Sequence, residues 1–384
     1  MNGRRIRVLH FLNSPEVPGG AEEHVFSLLS GLPLDRFEVT LVCTALSYPM
    51  FRRLESDHRR VICLNLHKFS QLGAMRRMAA ILRQQTIEIA HGHQFGATLF
   101  LAPIAKACRV PWVVETVHVR EALRRSWLKR SFLIDRLIYT MVDRLIAVSK
   151  AIQTYLIEAK HCRPSKVALI YNGRDLNHFR PSGEGDAVRR QFGVAPSDLL
   201  LVHVGRMSPQ KGHAVLLRAL PAIAQKFPQT KLLLAGEGDL TASLRDEVKR
   251  MGLEDCVIFA GFQSDIPRFL EAADLVVLPS LWEGLPLIAI EAAGVGRAMV
   301  ATAVDGTPEI VLDGRTGLLV PPNDSDGLAD AIIALLGDEG LRKQMGVAAR
   351  NHAEALFSLQ QQVDRTVELY ESLPKTKAAE QRQP

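Results

Sequence analysis

Two glutamates, Glu283 and Glu291, stand eight positions apart in the otherwise apolar run LWEGLPLIAIEAAG. A carboxylate in such a run is costly unless it accepts hydrogen bonds, and the hydroxyl groups of a sugar or ribose would donate them. Pro286 suits the first turn of a helix and Gly294 its end, so Glu283 and Gly284 precede a helix N-terminus. That terminus presents free N–H groups and partial positive charge to a phosphate. The plainer alternative puts Glu291 on an exposed helix edge and leaves Glu283 only complementing the helix dipole.

A second constellation is VGRMSPQKGH, in which Arg206 and Lys211 leave a strand end five residues apart. Both cations can converge on one diphosphate, arginine as a planar fork and lysine as a point charge. No G-x-x-x-x-G-K-[ST] loop precedes Lys211, so ATP hydrolysis is not indicated. In PGGAEEH, Gly19 and Gly20 form a turn before a helix and permit close backbone approach to a phosphate. This is not the full G-x-G-x-x-G dinucleotide fingerprint, which needs a third glycine at fixed spacing and an acid about 20 residues on, and that counts against NAD.

Taken alone, His118 at the end of WVVETVH reads as a strand-end histidine with its hydrogen bonds made, and Phe262 in AGF reads as core. His91 and His93 share one strand face in IAHGH, but two ligands with no third histidine or carboxylate nearby do not make a metal site. The five cysteines are scattered and never form C-x-x-C, which argues against disulfides or zinc and for a reducing cytoplasm.

These residues must be positioned by something. At 384 residues and 47% apolar the chain is expected to form two soluble domains. Thirteen short apolar runs alternate with helical patterns, from IRVLHFL through VALIYNG and then from LLLVHVG to GLLVPP, the signature of parallel sheets wound with helices. The Gly- and Pro-rich segment RDLNHFRPSGEGDAVRRQFGVAPSD separates the seventh run from the eighth and is expected to link the domains. Such sheets place ligands at the carboxyl ends of strands, and a cleft between two of them is the expected active site. The arginine-rich start MNGRRIRVLHFLN has an apolar stretch too short for a secretory signal, and no run is long enough to span a membrane.

With these residues in view, the chain resembles the family 4 glycosyltransferases. EGLPLIAIE is similar to their E-x7-E motif, and PGGAE, GR…KG, AGEG, IYNGRDLNHF, EAADLVVLPS and GRTGLLVPP follow in family order across residues 6 to about 370. The resemblance implies an α/β GT-B architecture, two doubly wound Rossmann-like domains facing a central cleft. Residues 1–180 would bind the acceptor, 181–357 the nucleotide-sugar, and a helix within 358–384 would return to the first domain. It implies a retaining hexosyltransferase of class EC 2.4 that needs neither metal nor cofactor. Arg206 and Lys211 would clamp the donor diphosphate, Glu283 would hold hydroxyls of the donor sugar, and Glu291 would hold those of the ribose. Gly284, Leu285, Pro286 and Leu287 would line the donor, Gly19 and Gly20 would approach it, Phe262 would pack on the base, and His118 would lie beside the sugar. A sugar-nucleotide epimerase of the same fold and a non-catalytic nucleotide-sugar-binding scaffold are the alternatives.

The charge is divided. Residues 1–180 carry 27 Lys and Arg against 14 Asp and Glu, a surplus of 13, and the rest carry 20 against 27, a deficit of 7. Arg120, Arg124, Arg125, Lys129 and Arg130 cluster with Trp127, Leu128 and Phe132 just after His118, a combination suited to an anionic membrane surface. Leu133, Leu137 and Met141 in the same stretch are expected in the core. A glycan or lipid-linked acceptor, used in making cell-surface polysaccharide, lipopolysaccharide or glycolipid, fits a cytoplasmic protein peripheral to the inner face of the plasma membrane. Nucleic acid is not an expected partner, because no recognition motif accompanies the cations.

Overall fold

The structure, a computed structural model, describes residues 4–13, 19–44, 49–120 and 133–380. It comprises two units, Met1–Asn172 with Leu359–Pro384, and Gly173–Ser358. The first holds β1 (Ile6–Leu12), β2 (Phe37–Cys43), β3 (Arg60–Cys63), β4 (Ile89–His93), β5 (Trp112–Val117), β6 (Arg144–Ala147) and β7 (Val167–Leu169). All are parallel, in the order β3-β2-β1-β4-β5-β6-β7. The chain runs outward from β1 to β3 and then crosses to β4 on the other side of β1, so the switch point of the sheet lies between β1 and β4. Both strands are buried along most of their length, as central parallel strands covered on two faces must be.

The second unit repeats the plan with β8 (Leu199–Val204), β9 (Thr230–Ala235), β10 (Val257–Gly261), β11 (Leu275–Leu278), β12 (Met299–Thr302) and β13 (Gly317–Val320). Their order is β10-β9-β8-β11-β12-β13, again parallel, with the switch point between β8 and β11. Leu201, Leu232, Leu234, Leu275, Val277 and Val300 from these strands pack with Leu216, Leu220, Leu328 and Ile332 from helices in one apolar cluster. All thirteen expected strands are present.

The last helix, Leu359–Glu380, belongs to the first unit. Val363, Val367, Tyr370 and Leu373 are buried with Val25, Leu28 and Leu29 of helix Gly20–Gly31. Gly31 allows that approach, since a Cβ there would lie 2.5 Å from Val363 Cγ2. The segment expected to link the domains packs on the second unit instead. Glu271 accepts hydrogen bonds from the Ser182 and Gly183 N–H groups, and Arg189 pairs with Asp274 at 2.5 Å.

Two further expectations are corrected. Helix Leu287–Val295 ends at Gly296, whose left-handed φ of 76° closes it, and not at Gly294. Gly294 lies inside the helix, where a Cβ would crowd Phe179 and Leu176 at 3.0 and 3.1 Å. Leu133 and Leu137 are 54% and 60% exposed on helix Leu133–Met141, and Ile134 is 52% exposed, so this apolar face is not core. Among the described residues no helix is long and apolar enough to cross a membrane.

Candidate active site

Both glutamates of the opening motif are buried, which rules out the exposed-edge reading of Glu291. Glu283 follows β11 and Lys211 follows β8, so the switch point brings together residues 72 apart in sequence. Lys211 Nζ donates to Glu283 Oε1 at 2.6 Å, and Ser280 Oγ donates to the same oxygen at 2.7 Å. Gln210 Nε2 donates to the Trp282 carbonyl at 3.0 Å, and the Glu283 N–H donates to Asp305 Oδ2 at 2.8 Å. Helix Leu287–Val295 begins four residues after Glu283, with Pro286 as its cap and no side-chain cap bond. The carboxylate, the ammonium and a positive helix end thus share one corner of the sheet.

Gly212 holds the lysine there. Its φ of 65° is left-handed, and a Cβ would stand 1.9 Å from the Pro279 carbonyl oxygen, so the turn Pro209–Lys211 sits directly against the end of β11. The Lys211 stem lies over Gly205, where a Cβ would meet its Cγ and Cδ at 3.3 Å, and Arg206 follows at an exposed position. Below them His203 Nδ1 donates to the Val277 carbonyl at 2.8 Å, and its ring stacks edge-on to His213. Burial holds their pKa values down to about 4 and about 2, so they add no positive charge at neutral pH. Phe262 is 61% exposed directly after β10, which corrects its reading as core. Glu291 Oε1 meets Arg174 Nε at 2.7 Å, and Arg174 lies over the Phe179 ring.

In the first unit, Gly19 caps helix Gly20–Gly31, and its N–H donates to the Glu22 carboxylate at 2.8 Å. His118, just past β5, is 7% exposed and its Nε2 has no hydrogen-bond partner, so it is not a strand-end histidine with its bonds made. Burial first, and His24 second, hold its pKa well below the ordinary value. Arg120 is exposed, with its guanidinium 5.9 Å from the Tyr155 ring. Arg124, Arg125, Trp127, Lys129 and Arg130 lie outside the described residues.

The ground for dismissing His91 and His93 is also corrected, because the fold does supply more histidines. Parallel register sets His10 of β1 opposite His91, and the following helix and the end of β5 bring His24 and His118. His10, His91 and His93 form one group, and His24, His93 and His118 another, with one nitrogen of each member within 4.8 Å of the others. His10 Nδ1 lies 3.0 Å from His93 Nε2, and His91 is flanked by Thr116 Oγ1 at 2.8 Å and the Tyr370 hydroxyl. Neither group contains a carboxylate or thiolate, so a divalent ion there would keep its double charge in a buried place. Gln210, Ser280, Asp305 and Arg174 were not assigned roles from sequence, since the spacing of the stretches that hold them does not tell which partners they meet.

The family model for Glycosyltransferase Family 4 matches residues 18–178, and that for Glycosyl transferases group 1 matches residues 185–352. The UDP-Gal:alpha-D-GlcNAc-diphosphoundecaprenol alpha-1,3-galactosyltransferase of Escherichia coli is 27% identical over 350 residues, covering 88% of this chain and 90% of that one. The D-inositol 3-phosphate glycosyltransferase of Kribbella flavida is 30% identical over 334 residues, covering 80% and 76%. HepE of Anabaena, solved in complex with UDP-glucose, has a TM-score of 0.83 at 26% identity, covering 96% of this chain and 100% of that one. WaaG, a glycosyltransferase involved in lipopolysaccharide biosynthesis, has a TM-score of 0.74 at 16% identity, covering 94% and 99%, a likeness of fold.

Proposed function

We propose, from the premise that the chain belongs to the family 4 glycosyltransferases, that it moves a hexosyl unit from a uridine diphosphate sugar to an acceptor hydroxyl, with retention of configuration and without a metal ion. The chain is a glycosyltransferase of GT-B fold with a nucleotide-sugar donor. The observation that carries the finer reading is the part-buried Lys211–Glu283 pair at the β8–β11 switch point, beside the start of helix Leu287–Val295.

In this reading the bond between the anomeric carbon and the diphosphate oxygen breaks, and its electron pair stays on the phosphate. Arg206, Lys211 and the first-turn N–H groups of the helix stabilise that charge, doing the work a metal would otherwise do. Glu283 accepts from hydroxyls of the donor sugar, Glu291 from those of the ribose, and the Phe262 ring packs on the base. The Gly284–Leu287 backbone and the Gly19–Gly20 turn approach the donor, with His118 beside the sugar. The acceptor hydroxyl adds to the same face of the carbon that the phosphate leaves, and its proton goes to the departing phosphate oxygen. Uridine as the base is supported by the UDP-glucose complex of HepE and by the UDP-Gal in the name of the Escherichia coli relative.

The test is the anomeric configuration of the product, read by NMR with EDTA present. The expected product keeps the configuration of the donor at full rate. An inverted product, or a rate lost to EDTA and restored by a divalent ion, would overturn the reading.

We assign acceptor binding to the amino-terminal unit, since residues 1–180, which contain all of that unit except its last helix and the tail, carry a surplus of 13 positive charges. Two relatives are named for phosphate-bearing acceptors, a lipid diphosphate and an inositol phosphate, which supports an acceptor of that class here. The exposed Leu133, Ile134 and Leu137 follow the basic stretch Arg120–Arg130, which supports docking on an anionic lipid surface in the synthesis of a surface polysaccharide or glycolipid. The protein is then expected to co-sediment with anionic vesicles and not neutral ones. It should release as salt rises past about 0.15 M, where the Debye length falls below roughly 8 Å. Equal sedimentation with neutral vesicles would contradict this.

A further inference from the structure

We propose that Arg174 is a positioning residue for the donor: it fixes the Glu291 carboxylate as an acceptor for the ribose hydroxyls, and so sets the preference for a ribonucleotide over one that lacks them. The proposal rests on the reading that Glu291 meets the ribose.

Glu291 stands within helix Leu287–Val295 among Ala289, Ile290, Ala292 and Ala293, each 4% exposed or less. A carboxylate so placed needs a counter-charge, and without one it turns towards whatever water it can reach. Arg174 Nε meets Glu291 Oε1 at 2.7 Å, with the two side chains 14% and 10% exposed. This is not the solvated surface pair that contributes little, since both charges are largely out of water and depend on each other.

The arginine is itself held in place. Its N–H donates to the Phe357 carbonyl at 2.9 Å, just past helix Glu339–Leu356, and its guanidinium lies 5.1 Å from the centre of the Phe179 ring. The chain between Arg174 and Phe179 turns tightly. The His178 and Phe179 N–H groups donate to the Asp175 carbonyl, and the Asn177 N–H donates to the Asp175 carboxylate. Leu176 and Phe179, both buried, pack on helix Leu287–Val295 at Gly294, where a Cβ would stand 3.1 and 3.0 Å from them. Gly294 is three residues after Glu291 and so shares its face of the helix. The segment that carries Arg174 therefore lies along the helix face that carries Glu291. Helix packing, the ring and a backbone bond fix the guanidinium before any ligand arrives, which is the support a binding carboxylate needs to keep one orientation. A carboxylate has about four lone-pair sites, so one that keeps a guanidinium can also accept from two hydroxyls. Without Arg174 it would lose that counter-charge and its aim together.

Calorimetry on the intact chain with uridine diphosphate and 2′,3′-dideoxyuridine diphosphate tests this. The parent is expected to favour the ribonucleotide. Arg174→Met should cut the ratio of the two affinities by about ten-fold, by weakening the hydroxyl bonds of the ribonucleotide while affinity for the dideoxy form stays within about two-fold. Arg174→Lys, which keeps the charge and loses the planar fork, should cut the ratio by about three-fold. An arginine with a merely structural role would lower both affinities alike. That result, or an unchanged ratio in either variant, would overturn the proposal. Glu291→Gln separates the two layers of the account. If it cuts the ratio and the Arg174 variants do not, Glu291 meets the ribose unaided and the positioning role alone fails. If the parent has no preference, or Glu291→Gln leaves the preference intact, the ribose reading fails and the proposal with it.

Discussion

Replacing Glu283 by glutamine is expected to lower kcat by roughly a thousand-fold, the cost of removing one interaction that strengthens as charge develops. Affinity for uridine diphosphate should stay unchanged or rise. In the free protein the Glu283 carboxylate occupies the Lys211 ammonium at 2.6 Å, with Ser280 donating to the same oxygen. Glutamine keeps the size and removes the charge, so Lys211 is released towards the diphosphate while the sugar loses its acceptor. Steady-state kinetics and calorimetry read the two effects separately. A variant that loses nucleotide affinity in proportion to kcat would contradict the assignment of Glu283 to the sugar.

Lys211→Met should act the other way round. Removing a charge-assisted bond to a desolvated phosphate costs about 2 kcal/mol, or about thirty-fold in uridine diphosphate affinity. The same change strands the Glu283 carboxylate, which is only 6% exposed at its side chain, and stability should fall by about 1–3 kcal/mol. Adding Glu283→Gln to Lys211→Met should restore much of that stability without restoring affinity. Denaturant unfolding and nucleotide titration of the two single variants and the double variant complete the cycle. A lysine variant with parental nucleotide affinity would remove Lys211 from the diphosphate site.

The strands were readable because interior parallel strands are continuous apolar runs, and IRVLHFL is β1 residue for residue. Helix ends were less so: Gly294 and Gly296 look alike in sequence, and only a φ of 76° at Gly296 marks the terminus. Glu283, Lys211 and Glu291 stood out by type and spacing, but their partners did not. Ser280, Asp305 and Arg174 meet them through strand order, which spacing along the chain does not carry. The histidine cluster was missed for the same reason, since His10, His91, His93 and His118 come from β1, β4 and the end of β5, set side by side by parallel register, and His24 comes from helix Gly20–Gly31. Leu133 and Leu137 show another limit of pattern reading. Periodicity tells which residues share a helix face, and tertiary structure decides whether anything covers it.

The most direct measurement is a crystal structure of the protein with uridine diphosphate bound. The account predicts the diphosphate at the carboxyl ends of β8 and β11, within hydrogen-bond distance of Arg206, Lys211 and the first N–H groups of helix Leu287–Val295. Lys211 Nζ should have left its 2.6 Å contact with Glu283 to meet the phosphate. A diphosphate bound elsewhere, or one bound at this corner with the Lys211–Glu283 pair intact and Arg206 turned away, would contradict it.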